Sequence, residues 1–219
     1  MMASPADTVQ VTEIFHSVQG ESSHAGKPCV FVRLTGCALR CTYCDTPYAF
    51  GGGQEMTIDQ VLTEASRHPT RLVEITGGEP MEQAGVYPLM HSFLEVGYTV
   101  MLETGGHVVL ADVPSKVIKI IDVKCPDSNE GGTFLKRNLE SVTSHDEFKF
   151  VISSRQDYEW SREFYRQHLT QKPNTVLFSP THDLQSAQKL SEWVLSDGLN
   201  VRIQLQIHKY IWGAGLRGV

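Results

Sequence analysis

The chain has 219 residues, a formal net charge of −6 at pH 7 and five cysteines, and these properties exclude several classes of protein. The length suits one domain with a sizeable core, so we expect a single domain over residues 1–219. Acidic and basic residues are interspersed, whereas a duplex-binding face is marked by clustered basic residues. No apolar run of roughly 18 residues and no secretory signal is visible, and an odd cysteine count is unlike a disulfide framework. We therefore expect a cytoplasmic protein that contacts neither nucleic acid nor a membrane.

The chain alternates between strand-like and helix-like patterns. Residues 1–8 show no periodicity and are predicted to be a loose terminus. The predicted strands cover residues 9–15, 29–34, 72–76, 98–103, 116–123, 147–152, 175–178 and 201–205. The predicted helices cover residues 57–68, 82–96, 133–142, 156–168 and 183–195. A capping box at Thr57–Gln60 marks the first helix start, and Asp183 is the predicted N-cap of the last helix. The glycines at 51–53 are predicted to form a flexible connector.

The alternation of strands and helices favours a mostly parallel sheet with right-handed crossovers. Six distinctive motifs each follow a predicted strand: the cysteine loop, TGGEP, ETGG, DVKCP, SPTH and LQIHK. The carboxyl ends of parallel strands share one edge of a sheet, where barrels and open α/β sheets bind their ligands. We therefore predict an α/β fold built as a partial, open TIM-like barrel of about six to seven mostly parallel strands.

Three cysteines with the spacing C-x3-C-x2-C follow the second predicted strand: Cys37, Cys41 and Cys44. Thiolates suit iron–sulfur clusters or zinc, and a short loop brings them together at little entropic cost. No fourth cysteine follows at the spacing of a paired zinc knuckle, so the pattern favours three ligands and one open coordination position. An open [4Fe-4S] cluster is the preferred interpretation. Zinc completed by a distant His or Cys, and unliganded thiols, are the alternatives. Cys29 lies within an apolar strand and is predicted to be a buried apolar residue.

The cysteine loop, together with Gly77–Pro80 (GGEP) after the next strand, resembles the radical SAM superfamily. Further segments resemble the 7-carboxy-7-deazaguanine synthases within it: Phe15–Glu21 (FHSVQGE), Phe31–Leu34 (FVRL), Cys44–Thr46 (CDT) and 208–219 (HKYIWGAGLRGV). The resemblance covers nearly the whole chain and is strongest over residues 9–80 and at the end. It implies a radical SAM core and a lyase that contracts 6-carboxy-5,6,7,8-tetrahydropterin to 7-carboxy-7-deazaguanine with loss of ammonia, in queuosine and 7-deazapurine biosynthesis.

The resemblance also implies cofactors and a set of site residues. Cys37, Cys41 and Cys44 would hold a [4Fe-4S] cluster whose open iron binds S-adenosylmethionine (SAM), and Thr46 would bind Mg²⁺. The implied SAM-binding residues are Tyr43, Cys44, Asp45, Gly78, Glu79 and Lys124. The implied substrate-binding residues are Val18, Gln19, Gly20, Glu21, Arg33, Thr76, His208 and Val219. The C-terminal segment 207–219 is expected to close the site, and no catalytic side chain beyond the cluster and SAM is implied.

Two partners besides the pterin substrate are expected. The resemblance implies a flavodoxin- or ferredoxin-type electron donor. The predicted helix over residues 156–168 carries four aromatic residues: Tyr158, Trp160, Phe164 and Tyr165. We expect them to lie in the core and partly on a partner-facing surface. A homodimer is therefore expected.

The chain departs from the family pattern at two places. Residues 122–126 read DVKCP where a Ser-Pro-Lys segment is expected, which leaves the role of Lys124 open. Cys125 is interpreted as a partly buried thiol with no role in redox chemistry or cluster binding. Glu21 is followed by Ser22 rather than glycine. This second change matters only if the backbone needs a positive φ at that position.

Two other functions compete with the synthase. A radical SAM activase, which abstracts hydrogen from a partner protein, shares the cysteine motif but has no use for the QGE loop and the RGV ending. A non-catalytic interaction module stabilised by zinc would need only the cysteines.

Metal analysis separates the zinc module from both enzymes. Because three thiolates with an open position favour an iron–sulfur cluster, protein reconstituted under anaerobic conditions is expected to contain iron and sulfide and to show iron–sulfur absorption. Colourless protein that carries zinc and lacks this absorption would exclude both enzymatic interpretations.

Overall fold

The computed structural model describes residues 7–219, so most of the predicted loose terminus lies outside the described residues. Thr8 already belongs to the first strand, which starts earlier than the sequence pattern indicates. The strands are β1 Thr8–Val18, β2 Pro28–Leu34, β3 Gln54–Thr57, β4 Leu72–Gly77, β5 Thr99–Thr104, β6 Ile118–Asp122, β7 Glu147–Ile152, β8 Thr175–Pro180 and β9 Arg202–Ile203. The helices are α1 Ile58–Ser66, α2 Val86–Glu95, α3 Arg155–His168, α4 Ala187–Ser196 and α5 Ile207–Trp212. Of these helices, none is long and apolar enough to cross a membrane.

The strands of residues 7–219 form one open sheet in the order β3-β1-β2-β4-β5-β6-β7-β8-β9. From β2 to β9, every neighbouring pair is parallel, which gives a run of seven parallel strands. β1 is antiparallel to both β2 and β3 and extends the sheet at one end. The two ends of the sheet do not pair with each other, so the predicted α/β fold with an open, mostly parallel barrel is confirmed.

β3 and α5 were not predicted from the sequence. β3 is a short polar edge strand, Gln54–Thr57, whose pattern lacks apolar alternation and which exists because β1 offers it an antiparallel partner. It follows the glycines that were predicted to form a connector. α5 has six residues, too few for a helical period to be recognised in the sequence, and none of them is buried.

Three predicted helices were partly wrong. The segment predicted as a helix over 133–142 contains a 3₁₀ helix at Lys136–Glu140 instead. α4 begins at Ala187 with Ser186 as its N-cap, because Asp183 has a left-handed φ of 63° and cannot cap it. α2 begins at Val86 rather than at residue 82, since Pro80–Glu82 forms a separate 3₁₀ turn. The capping box of Thr57 and Gln60 at α1 is confirmed in both of its hydrogen bonds.

The sheet buries different side chains on its two faces because successive strand residues point to opposite sides. The outer face packs against the helices and forms the larger core, including Val30, Ile75, Leu102 and Phe148. The inner face carries a smaller apolar cluster: Cys29, Phe31, Leu72, Met101 and Ile120. Cys29 is fully buried, as predicted.

The aromatic residues of α3 lie in the core of this chain. Tyr158, Phe164 and Tyr165 are buried, and Trp160 packs against the same core. Their rings contact Phe150 and Phe178 of the sheet in edge-to-face arrangements. They therefore cover the outer face of the sheet, which confirms their predicted place in the core. Trp160 is only partly buried, and the partner-facing surface stays a prediction.

One ion pair lies inside the core beneath the loop that precedes β7. The side chains of Lys119 and Asp146 are 1% and 0% exposed, and Lys119 Nζ lies 2.9 Å from Asp146 Oδ2. Asp146 also accepts hydrogen bonds from the backbone N–H groups of Lys119 (2.8 Å) and Thr143 (2.7 Å). The pair therefore ties the start of β6 to the loop before β7.

Replacing one partner of this pair is expected to destabilise the fold strongly. Lys119→Met should lower the free energy of unfolding by about 3–5 kcal/mol, because it leaves the Asp146 carboxylate buried without its cation. The matched control is Arg67→Met on the exposed Arg67–Glu64 pair, whose loss should cost less than about 1 kcal/mol. Urea denaturation of both variants measures the difference, and equal losses of stability would contradict this account.

Candidate active site

The inner face of the sheet carries polar residues from the middle to the carboxyl ends of the strands. Alternation along each strand brings these residues to the same side: Arg33 of β2, Glu74 and Thr76 of β4, Glu103 of β5, Asp122 of β6 and Lys149 of β7. They line a cavity of about 740 Å³, together with the cysteine loop and the C-terminal segment. Every site residue predicted from the sequence lines this cavity.

The cysteine loop is held by backbone hydrogen bonds on two sides. The N–H of Ala38 donates to Glu82 Oε1 (2.9 Å), which follows the GGEP turn. The N–H of Arg40 donates to Glu130 Oε1 (2.6 Å), and that of Thr42 donates to the carbonyl of Ser128 (3.0 Å). The loop is therefore fixed between the segments that follow β4 and β6.

The three thiols of this loop fit an iron–sulfur cluster. Cys37, Cys41 and Cys44 are free and half-buried, and burial raises the pKa of Cys37 to about 11. Within residues 7–219, no three or more His, Cys, Asp or Glu side chains are arranged to hold a single metal ion. An all-thiol set on a short loop instead suits a cluster of several iron atoms.

The turn after β4 comes very close to the cysteine loop. A Cβ at Gly78 would overlap the carbonyl oxygen of Gly36, so only glycine permits this approach. The Glu79 carboxylate is buried and accepts hydrogen bonds from Thr104 Oγ1 (2.8 Å) and the N–H groups of Gly105 (2.8 Å) and Met81 (3.1 Å). The side chain of Glu79 thus shapes the turn from within the protein.

Two residues on the same side of the cavity carry a polar atom that is unpaired. The Tyr43 hydroxyl and Asp122 Oδ1 are buried and have no hydrogen-bonding partner within the described residues. Lys124 Nζ pairs with the other oxygen of Asp122 at 2.8 Å, so the DVKCP segment carries a neutralised pair where a Ser-Pro-Lys segment was expected. Unpaired buried polar atoms in a cavity indicate a site for a polar ligand.

A buried ammonium group organises the floor of the cavity. Lys149 Nζ lies 2.8 Å from Glu21 Oε2, 2.5 Å from Glu103 Oε1 and 3.7 Å from Asp122 Oδ2. Burial alone would lower the pKa of Lys149, but the charges of these three carboxylates raise it well above its usual range. Likewise, burial alone would raise the pKa of Glu21, whereas Lys149 and Gln206 hold it below its usual range.

Sequence reasoning missed the roles of Glu74, Glu103, Asp122 and Lys149. Each of them is a charged residue inside an otherwise apolar strand, and that signal could have identified them. The strands were instead interpreted by their apolar content alone.

Gln19 is held in a fixed orientation at the end of β1. Its side-chain oxygen accepts from the N–H of Glu21 (3.0 Å), and its side-chain nitrogen donates to Glu74. Burial, with the nearby charge of Glu103, raises the pKa of Glu74 well above its usual range. By accepting this hydrogen bond, Glu74 fixes the orientation of the Gln19 side chain.

Arg33 lies against two aromatic rings on the opposite wall. Its guanidinium carbon is 5.8 Å from the ring centre of Phe15 and 6.0 Å from that of Tyr48, and Nε donates to Glu13 Oε1 (2.7 Å). Tyr48 donates to the same carboxylate oxygen (2.8 Å). The guanidinium plane is thereby fixed at the cavity wall.

The C-terminal segment lies over the cavity. The N–H of Ile207 donates to the carbonyl of Gly20 (3.0 Å), and Gln206 Nε2 donates to Glu21 Oε1 (2.7 Å). Lys209 pairs with Asp45 of the CDT segment (3.2 Å), and the Arg217 guanidinium lies 3.9 Å from the ring centre of Tyr48. The segment therefore joins the two halves of the site.

The structure shows the conformation of Ser22 and the surroundings of Cys125. Ser22 has a φ of 63°, so the loop does need the left-handed conformation there, and the Ser22 hydroxyl accepts a hydrogen bond from the N–H of His24 (3.1 Å). Cys125 is fully buried with Ser161 Oγ 3.3 Å away, and burial raises its pKa. It is more deeply buried than predicted, and it does not line the cavity.

The fold and the three-cysteine site define a radical SAM enzyme, and residues 31–126 match the family model described as the radical SAM superfamily. The chain is 50% identical to the 7-carboxy-7-deazaguanine synthase of Koribacter versatilis, over 96% of this chain and 100% of that protein. It is 40% identical to the synthase of the same name from Chlorobaculum tepidum, over 96% and 97% of the two chains. The chain therefore belongs to the 7-carboxy-7-deazaguanine synthase family.

A solved structure shares the fold. The crystal structure of QueE from Escherichia coli superposes with a TM-score of 0.77 at 23% sequence identity, over 91% of this chain and 94% of that one. At this level of identity the match supports the open-barrel architecture.

The contact between Gly20 and the C-terminal segment generates a prediction. A Cβ at Gly20 would overlap the His208 ring, so Gly20→Ala should displace His208 and loosen α5 while leaving the sheet intact. Trypsin cleavage after Lys209 should accelerate several-fold, because local opening controls proteolysis of a folded chain. Gly51→Ala is the control, since a Cβ there meets no atom within 4 Å. Equal cleavage of the two variants would show that Gly20 does not hold the segment.

Proposed function

We propose that this chain converts 6-carboxy-5,6,7,8-tetrahydropterin to 7-carboxy-7-deazaguanine with loss of ammonia, a step in queuosine and 7-deazapurine biosynthesis. The observation that carries the proposal is one cavity in which Arg33, Gln19 and the Lys149 network face the three-cysteine loop. When bound, the [4Fe-4S] cluster and SAM supply a 5′-deoxyadenosyl radical. The side chains of the chain bind and orient the substrate.

The substrate-binding residues supply complementary chemistry. Arg33 suits the substrate carboxylate, because a guanidinium group binds carboxylates through paired hydrogen bonds. Gln19 and the backbone groups of Val18 and Gly20 suit the donor and acceptor edge of a pterin. Thr76 donates to Glu103 Oε2 (3.2 Å), and both groups would lie beside this edge of the pterin.

Three charged or polar groups complete the substrate pocket. Glu21 stays ionised beside Lys149 and can accept hydrogen bonds from the pterin. Burial lowers the pKa of His208, which therefore serves as a neutral hydrogen-bonding group above the substrate. Val219 lines the cavity, and its carboxylate would close the site together with the rest of segment 207–219.

The cofactor-binding residues lie on the other side of the cavity. Cys37, Cys41 and Cys44 would hold the cluster. SAM would lie between the Gly78–Glu79 turn, Lys124 and the segment Tyr43–Asp45, where the buried Tyr43 hydroxyl and Asp122 Oδ1 lack partners within residues 7–219.

Thr46 is the proposed protein ligand of Mg²⁺. Its hydroxyl now donates to Asp45 Oδ1 (2.9 Å), at the point where the CDT segment meets the cavity. Mg²⁺ prefers oxygen ligands and keeps water or substrate oxygens in its shell, so one hydroxyl is a sufficient contribution from the protein.

The proposal includes the assembly and setting of the protein. The chain acts as a single domain in the cytoplasm, receives electrons from a flavodoxin- or ferredoxin-type donor and forms a homodimer. The exposed apolar residues of α5 and the following segment support a dimer better than α3 does: Tyr210, Ile211, Trp212 and Leu216 are between 43% and 74% exposed.

Turnover by reconstituted enzyme tests the function directly. With carboxytetrahydropterin, SAM, Mg²⁺ and a reductant under anaerobic conditions, we expect 7-carboxy-7-deazaguanine to form without net consumption of SAM. Mass spectrometry identifies the product, and chromatography quantifies SAM and 5′-deoxyadenosine. Stoichiometric release of 5′-deoxyadenosine without deazaguanine would reject the proposal and favour an activase.

The charge of Lys149 should set the acid limb of the pH profile. In Lys149→Met, the Glu21 carboxylate remains buried but loses the cation that lowers its pKa, so this pKa rises and Glu21 is protonated at a higher pH. The acid limb of kcat/KM should therefore move to higher pH, measured between about pH 5 and pH 8. Lys149→Arg keeps the charge and should retain the acid limb near its original position. Superimposable profiles of Lys149→Met and the unchanged enzyme would rule out this role.

A further inference from the structure

His107 lies between two carboxylates beside the cysteine loop and has no part in the roles described so far. It follows Gly105-Gly106 after β5, and its side chain is 12% exposed. His107 Nε2 lies 2.9 Å from Glu82 Oε1, and Nδ1 lies 3.5 Å from Glu79 Oε2. Nε2 is thus hydrogen-bonded to Glu82, whereas Nδ1 lies beside Glu79 without a hydrogen-bonding partner within residues 7–219.

The two carboxylates contact different parts of the proposed cofactor site. Glu79 belongs to the turn that approaches SAM, and its backbone N–H donates to the carbonyl of Gly36 (2.7 Å). Glu82 Oε1 accepts from the N–H of Ala38 (2.9 Å), the residue next to Cys37. His107 therefore connects the turn to the cysteine loop through Glu82.

The packing around Gly105 shows how close these groups lie. A Cβ placed there would be 3.2 Å from His107 Nδ1 and 3.4 Å from both Glu79 Oε2 and Leu39 Cδ1. The ring, the turn and the cysteine loop therefore meet at one point, where an added Cβ would be tightly packed.

The two carboxylates depend on His107 to different degrees. Glu79 has three other hydrogen-bond donors and would stay in place without the ring. Within residues 7–219, the Glu82 side chain is held only by His107 and by the N–H of Ala38, and it is 28% exposed. Without the ring, the Glu82 side chain would be free to turn toward solvent. The hydrogen bond from the N–H of Ala38 to Glu82 would then be lost.

We propose that His107 is a positioning residue that, through Glu82, holds the Cys37 arm of the cysteine loop against the SAM-binding turn. The proposal rests on the cluster and SAM site of the proposed function and does not depend on the pterin substrate. It follows that the affinity for SAM depends on the hydrogen bond between residue 107 and Glu82, and not on the presence of an imidazole ring as such.

Two amide variants separate the contacts of the ring. In His107→Gln the amide nitrogen reaches the position of Nε2, so the hydrogen bond to Glu82 is kept. In His107→Asn the shorter amide matches Nδ1, so the contact with Glu79 is kept and that with Glu82 is lost. His107→Leu removes both contacts, and His91→Leu, on the exposed side of α2, controls for the loss of a histidine elsewhere.

The experiment has two readouts. Equilibrium dialysis on protein of matched iron content gives the SAM dissociation constant. Electron paramagnetic resonance of the reduced cluster shows how the spectrum changes when SAM is added. We expect His107→Asn and His107→Leu to bind SAM about 10-fold more weakly, the loss of one charge-assisted hydrogen bond. The spectral change should shrink in both variants. His107→Gln and His91→Leu should resemble the unchanged protein.

Two results would overturn the proposal: equal SAM binding by the Gln and Asn variants, or unchanged SAM binding and spectra in the Leu variant. If His107→Leu fails to fold or to load iron, the comparison of Gln with Asn decides the question. Failure of the proposed function is distinguishable, since protein that binds SAM normally yet leaves carboxytetrahydropterin unchanged contradicts the synthase and leaves the role of His107 standing.

Discussion

The buried ammonium of Lys149 is the group on which the proposed substrate side of the site depends. Lys149 is the third of the six residues of β7, and its ammonium lies within 4 Å of carboxylate oxygens from Glu21, Glu103 and Asp122. Without this cation, three carboxylates would share one poorly solvated cavity, and repulsion and desolvation would favour their protonation. Breaking a buried pair of this kind typically costs about 3–5 kcal/mol, so the charge stabilises both the fold and the ionisation of the site.

The cofactor side uses acidic residues in a different way. The cysteine loop contains no regular secondary structure, and its backbone donors are satisfied by Glu82 and Glu130 from the neighbouring strand-end segments. These hydrogen bonds restrict the backbone of the loop that carries the three thiols, which lowers the entropic cost of bringing the thiols together. The close approach of Gly78 to Gly36 adds a steric constraint that no side-chain hydrogen bond supplies.

The C-terminal segment connects the two sides. Gln206 contacts Glu21 on the substrate side, whereas Lys209 contacts Asp45 on the cofactor side. Since α5 buries no residue of its own, these polar contacts and the packing of His208 against Gly20 hold it in place. A segment held mainly by such contacts at the mouth of a cavity is suited to open and close as ligands exchange.

The sequence by itself determined the chemistry of the cofactor site and the class of fold. Cysteine spacing, the GGEP turn and the repeated placement of motifs after strands are local patterns, and all of these motifs line one cavity. Only the tertiary structure decided which strand residues face that cavity, how Lys149 pairs with three distant acids, and why Asp183 does not cap α4. These features depend on contacts between residues far apart in the chain, which no local pattern specifies.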